Sequence, residues 1–205
     1  MGPQDPGEVA SPEAGEKCSS ADRLGSVGST VLTVGHGRRP LEAFLVLLRR
    51  AGVEVLVDVR RSPSSRRNPQ YGREALAEAL AAAGIGYVWM GEELGGFRRA
   101  TPGSRHTALA NRAFAGYADH MDTPAFRRGL DRLIAMARER RVAVMCAETL
   151  WWRCHRRMLA DALLAAGCEV VHLLDDGERP HALHPNARLE DGRPVYDVEP
   201  QPRLI

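Results

Sequence analysis

The sequence predicts an α/β protein of three layers, a mostly parallel five-stranded sheet with helices on both faces. Three observations lead there. Short β-branched runs alternate with amphipathic helical segments. Ala-Gly junctions sit where several of those helices should end. The 205 residues, 44% of them hydrophobic, suit one packed domain.

The elements follow in order. Val31–Val34 is a short β-branched strand. Leu41, Phe44, Leu45 and Leu48 repeat at i, i+3, i+4 and i+7, one face of a helix, and Gly52 closes it. Val53–Val59 reads as a second, buried strand. Arg73–Ala83 is a helix carrying Leu76 and Leu80, closed by Gly84, and Ile85–Met90 is the third strand. Residues 91–110, with Gly95, Gly96, Pro102 and Gly103, read as a long loop, and Asn111–His120 as a helix. Thr123 caps a further helix with Pro124 at its first position and Phe126, Leu130, Leu133, Ile134 and Ala137 inward. Val142–Cys146 is the fourth strand, Trp152–Ala166 a helix ended by Gly167, and Glu169–Leu174 the fifth strand. Right-handed crossovers are expected between them.

The flanks differ. Residues 1–29 are rich in Gly, Pro, Ser and Glu and lack periodicity, so a disordered leader is expected. Residues 30–185 form the single α/β domain, and 186–205 a partly ordered tail with one short strand at Val195–Val198. The leader carries a local charge of −3 and the body +6. Lys17 is the only lysine, so the body's basic groups are all arginine. Ordinary composition excludes collagen-like, coiled-coil and wholly disordered chains. No apolar run nears the ~20 residues of a membrane span, and no signal-peptide pattern opens the chain. A cytoplasmic protein without membrane contact is expected. Cys18, Cys146, Cys154 and Cys168 are too few for a disulfide scaffold, and no Cys-x-x-Cys pair exists.

In parallel sheets ligands bind beyond the carboxyl ends of the strands. Those ends carry Gly35-His36-Gly37-Arg38, Asp58-Val59-Arg60, Glu92 and Glu93, Cys146-Ala147-Glu148, and His172 before Asp175-Asp176. Ionisable groups are therefore concentrated at one edge, where they must pair or face a cleft.

Several segments carry a resemblance. Val34-Gly35-His36, Val57-Asp58-Val59-Arg60, Ser65 to Tyr71, Gly116-Tyr117-Ala118-Asp119, Cys146-Ala147-Glu148 and Cys154-His155-Arg156 resemble the domain of unknown function 488 family. The likeness runs from about Thr33 to His184. Six motifs in order make it specific, but it implies residues rather than a reaction. Gly37 stands where the family usually has Ser or Thr, and the Trp151-Trp152 pair is not carried over from it.

Asp58 and Arg60 alternate on a strand and so share a face. They read either as a buried salt bridge or as a general base beside an anion-binding guanidinium. From Arg60 to Arg73 there are five arginines and no acid. Arg66, Arg67, Asn68 and Tyr71 therefore read as a phosphate-binding loop, with Tyr71 placed to stack on a base. Glu148 and Cys146 share a strand-end face. Cys154 opens the next helix, whose dipole lowers a thiol pKa, with Arg153, His155 and Arg156 as donors around it. The phosphatase spacing Cys-x5-Arg is missing from both cysteines.

The leading expectation is a metal-independent hydrolase acting on a phosphate-bearing nucleotide or nucleic acid, with cleavage of an N-glycosidic bond favoured. Asp58 and Glu148 would be its paired carboxylates and His36 their assistant. Arg60, Arg66, Arg67, Asn68, Tyr71, His155 and Arg156 would bind substrate, and no cofactor or metal is called for. Two alternatives stand beside it. One is a non-catalytic module binding DNA or RNA through the same arginines. The other is a thiol- or zinc-dependent enzyme using Cys146 and Cys154, the zinc version adding His155 and His36.

Overall fold

The computed structural model describes Gly2 and residues 28–64 and 67–199. Most of the leader, together with Arg66 of the expected phosphate loop, lies outside the described residues.

Five parallel strands form the sheet, β1 (Thr30–Gly35), β2 (Val55–Asp58), β3 (Gly86–Trp89), β4 (Val142–Cys146) and β5 (Glu169–Leu174). A sixth, β6 (Gly177–Pro180), adds antiparallel to β5, giving the order β3-β2-β4-β1-β5-β6. Gly-Glu-Arg-Pro has no apolar alternation, so the sequence pattern shows only five strands. Pro180 is tolerated only because β6 is an edge strand.

Helices cover both faces. The sheet residues alternate between two cores, as strand periodicity requires. Leu32, Val34, Leu56, Ala143 and Met145 point to α1 (Leu41–Arg50) and α2 (Arg73–Ala82). Val31, Val57, Val142, Val144 and Cys146 point to the other side. There lie the single turn α3 (Gly91–Leu94), α4 (Arg112–Met121), α5 (Pro124–Glu139) and α6 (Arg156–Ala165). Phe44, Leu48, Leu76 and Leu80 are fully buried on the first face, each contributing about 1.5–3 kcal/mol. The turn α3 falls inside the segment expected to be a loop; at four residues it is too short for periodicity to reveal.

The three Ala-Gly junctions share one closure. Gly52, Gly84 and Gly167 adopt φ of 66°, 74° and 84°. This lets the following N–H of Val53, Ile85 and Cys168 reach back to Leu48, Leu80 and Leu163. That is the Schellman bond, and it turns each helix directly into a strand. Thr123 Oγ1 accepts the Phe126 N–H at 3.3 Å, capping α5 as its sequence indicates.

The tail forms a hairpin of β7 (Ala187–Glu190) and β8 (Arg193–Tyr196). The expected strand at Val195–Val198 starts two residues earlier. Val195 and Tyr196 are buried, and Tyr196 joins the core shared with α6, so the tail packs into the body.

The topology fixes where a ligand can sit. After β1 and β2 the chain leaves to one face; after β4, which lies between them, it leaves to the other. Diverging connections open a crevice over the carboxyl ends of β1, β4 and β2.

Candidate active site

A cleft of about 940 Å³ occupies that crevice. Its floor has two chemically distinct halves, one on each side of the sheet.

The first half is a buried carboxylate–guanidinium unit. Asp58, last residue of β2, is fully buried. Its Oδ1 accepts the Arg60 backbone N–H and Nε, each at 2.9 Å, and its Oδ2 accepts Arg60 Nη2 at 2.6 Å and the Tyr87 hydroxyl at 2.8 Å. Burial and the Asp58 charge hold that hydroxyl protonated. With both oxygens engaged, Asp58 has no lone pair free to act as a general base.

Arg60 also turns Nη1 towards His36 Nε2 at 3.3 Å, while His36 Nδ1 lies 3.0 Å from the Gly37 carbonyl. Nδ1 therefore carries the proton and Nε2 accepts. Burial, then the Arg60 charge, lowers the His36 pKa to about 4. The ring is a neutral spacer at pH 7. Tyr71 stacks under it at 4.1 Å, meets Phe44 edge-on and donates to the Arg39 carbonyl at 3.1 Å. Tyr71 is fully buried, so its ring stacks on His36 and has no face for a ligand base. The residue fixes the loop instead.

The second half carries the thiols. Cys146 ends β4, and Cys154 lies two residues before the first helical residue of α6. The expected helix from Trp152 is interrupted: Trp151–Arg153 is a 3-10 turn, and Cys154 occupies the junction. The two Sγ atoms are 2.6 Å apart, and both residues line the cleft. The hydrogen bond from Cys146, helped by the Arg156 charge and backbone N–H, pulls the Cys154 pKa to about 7. Burial pushes Cys146 up. Cys154 is thus the more readily ionised thiol of the pair, with Cys146 as its hydrogen-bond donor.

His155 places Nδ1 3.4 Å from Cys154 Sγ and packs edge-on against Tyr117. Its Nε2 is buried without a hydrogen-bond partner among the described residues, and burial lowers its pKa. Arg156, expected to hold phosphate, is only 1% exposed. It donates Nη2 to the carbonyls of Glu148 (2.6 Å) and Thr149 (3.1 Å) and Nη1 to Thr33 Oγ1 (3.4 Å). Arg156 therefore clamps the loop after β4 and supplies charge to Cys154 from beneath.

Glu148 is exposed on the rim, accepting the Leu150 N–H at 3.3 Å. It and the engaged Asp58 are not a pair of free carboxylates. Gly35 and Gly37 bring the loop after β1 onto this rim. A Cβ on Gly35 would meet the Glu148 carbonyl at 1.9 Å, and one on Gly37, whose φ is 57°, would meet Thr149 Oγ1 at 2.1 Å. The Thr149 hydroxyl thus stands where a side chain at position 37 would lie.

Cations ring the mouth. Arg38, Arg61 and Arg153 are exposed cleft-lining residues, and Asn68 lines it with them. Arg67 opens onto an adjoining groove shared with Arg38 and Asn68. Phe97 projects at the mouth, 91% exposed and at φ 57°, with half-buried Phe114 nearby. Neither phenylalanine was singled out from the sequence. Two glycines before Phe97 were the available signal.

Among the described residues no group of three His, Cys, Asp or Glu side chains is arranged to hold a metal ion. No helix there is long and apolar enough to cross a membrane.

A family model described as "Domain of unknown function DUF488" matches residues 40–163, more than half of the chain. The chain belongs to the DUF488 family. No curated protein and no solved structure matches it. The matched span in this DUF488 protein runs from the start of α1 into α6. It contains Asp58, Arg60, Cys146, Glu148 and Cys154, and leaves His36 just outside.

Proposed function

We propose that this DUF488 protein is a thiol-dependent enzyme in which Cys154 attacks an anionic substrate held at the mouth by Arg38, Arg61 and Arg153. The observation carrying this reading is the position of Cys154. The residue lines the cleft, its Sγ touches a second thiol, and it sits at the start of α6 with the Arg156 charge beside it. A thiolate is the reactive form of cysteine, and helix N-termini and neighbouring cations stabilise it. His155 is the nearest base to accept its proton. The expected substrate class, a phosphate-bearing molecule, is kept, because guanidinium forks suit it. The carboxylate-pair hydrolase is set aside because Asp58 is spent on Arg60. A cytoplasmic setting would keep both thiols reduced.

Alkylation tests the reading. Native protein should be labelled first at Cys154, with a rate midpoint near pH 7. Anionic iodoacetate should gain on neutral iodoacetamide relative to free cysteine, and Arg61→Ala/Arg153→Ala should remove that gain. Labelling of Cys154 no faster than that of Cys168, or only in the alkaline range of an ordinary thiol, would end the proposal.

A second reading rests on Phe97, the exposed aromatic beside these arginines: a module that stacks a base and clamps phosphate without turnover. Salt-steep binding of a single-stranded oligonucleotide by Cys154→Ser, lost in Phe97→Ala, would favour it.

A further inference from the structure

We propose that Cys146 and Cys154 are a reversible dithiol–disulfide pair through which oxidation switches the cleft off. The proposal rests on the reading of Cys154 as nucleophile and adds the regulation of that site.

The geometry carries it. The two Sγ atoms lie 2.6 Å apart, within a small shift of the ~2.05 Å of a disulfide bond. They come from different elements, the end of β4 and the start of α6, so the loop between them can absorb that shift. Both cysteines line the cleft, Cys146 2% and Cys154 7% exposed, which gives a small oxidant a route in. Cys168 is a contrast: it is buried at the strand junction after α6, away from the cleft lining and with no thiol partner among the described residues. The chain therefore places two cysteines together and leaves another apart as an internal control.

The chemistry closes with hydrogen peroxide as oxidant. Cys154 thiolate attacks one peroxide oxygen; the S–O bond forms, the O–O bond breaks, and hydroxide leaves to take up a solvent proton. The sulfur gives up two electrons and becomes a sulfenic acid. Cys146 then attacks Cys154 Sγ. The S–S bond forms, the S–O bond breaks, and the hydroxyl leaves with the Cys146 proton as water. In sum, two thiols and one peroxide give one disulfide and two waters. A small dithiol such as dithiothreitol reverses it by exchange through a mixed disulfide. The disulfide removes the nucleophile from the cleft, and Cys146 protects Cys154 from irreversible over-oxidation.

The experiment uses the full chain carrying Cys18→Ser, treated with hydrogen peroxide at pH 7 and mapped by mass spectrometry. The expected result is one disulfide joining the Cys146 and Cys154 peptides, lost on dithiothreitol, with Cys168 still a thiol. In Cys146→Ser the expected product is a dimedone-trapped sulfenic acid on Cys154. Far-UV circular dichroism checks its fold, and Cys146→Ala serves if serine perturbs it. A Cys154 sulfenic acid that persists in the presence of Cys146, or a disulfide to Cys168, overturns the pair while leaving the nucleophile reading standing. A Cys154 inert to both peroxide and iodoacetate overturns both.

Discussion

Arg60 grips Asp58 with its backbone N–H, Nε and Nη2, and its remaining nitrogen, Nη1, meets the ring of His36. Both partners are buried. The pair therefore locks the end of β2 to the loop after β1. Its net contribution to stability is small, because desolvation offsets the Coulomb attraction. Breaking it is another matter.

Asp58→Asn leaves the Arg60 charge buried without its counter-ion. A loss of about 3–5 kcal/mol is expected, read as a lower urea midpoint with unchanged slope. Tyr87→Phe, which removes only one donor from the same carboxylate, should cost about 1 kcal/mol. An Asp58→Asn protein as stable as the parent would show that Arg60 finds other partners.

The acid side of the stability curve should carry two histidines. The His36 pKa is lowered to about 4 and that of His172 to about 3, from an ordinary 6.5, by burial first in each case. Arg60, Asp58 and Arg156 face the first ring; His181 and Arg156 face the second. Below pH 6.5 the unfolded chain takes up protons at these positions and the native chain does not. The unfolded state binds more protons, so stability falls as pH drops from about 6.5 towards 4, and these two groups stop contributing below about 3. His36 alone accounts for about 3 kcal/mol across that window. Urea midpoints at several pH values read the fall, and imidazole proton shifts assign it. A His36 ring titrating near 6.5 removes its part.

These burials mark where the sequence was legible and where it was not. Strand periodicity placed Asp58 and Arg60 on one face, and Ala-Gly pairs located three helix ends, because both signals are local. Tyr71 and Arg156 read from the sequence as ligand-facing, and the fold buries both. Tyrosine and arginine each have an apolar stem and a polar tip, and only the tertiary fold decides whether that tip meets a ligand or a backbone carbonyl. The strand β6 was missed because it is held by pairing to β5 rather than by its own apolar pattern. The thiol pair lay within reach: two cysteines flanked the turn after one strand, but their contact depends on how that turn bends.

Phe97 combines exposure with a left-handed backbone that costs a non-glycine residue about 1 kcal/mol or more. Phe97→Gly should therefore fold with equal or greater stability in a thermal melt. It should also weaken binding of a planar anion such as a nucleoside monophosphate several-fold, by fluorescence or calorimetric titration. Unchanged affinity would assign the ring no part in the cleft.

Arg156 gives the sharpest separation between a structural and a chemical role. Arg156→Lys keeps the positive charge near Thr33 but cannot fork to the carbonyls of both Glu148 and Thr149. Should the guanidinium only hold the loop, the variant loses stability and Cys154 alkylates with the same pH midpoint. The guanidinium lowers the Cys154 pKa by its charge and by a side-chain hydrogen bond that lysine would lose, which argues for more. The expected result is a midpoint moved upward from about 7 towards the ordinary thiol range, with slower alkylation at neutral pH. Arg156→Met, which also removes the charge, should move it further. Because the fold readout and the pH midpoint are separate measurements, a destabilised protein with an unshifted midpoint would confine Arg156 to the loop.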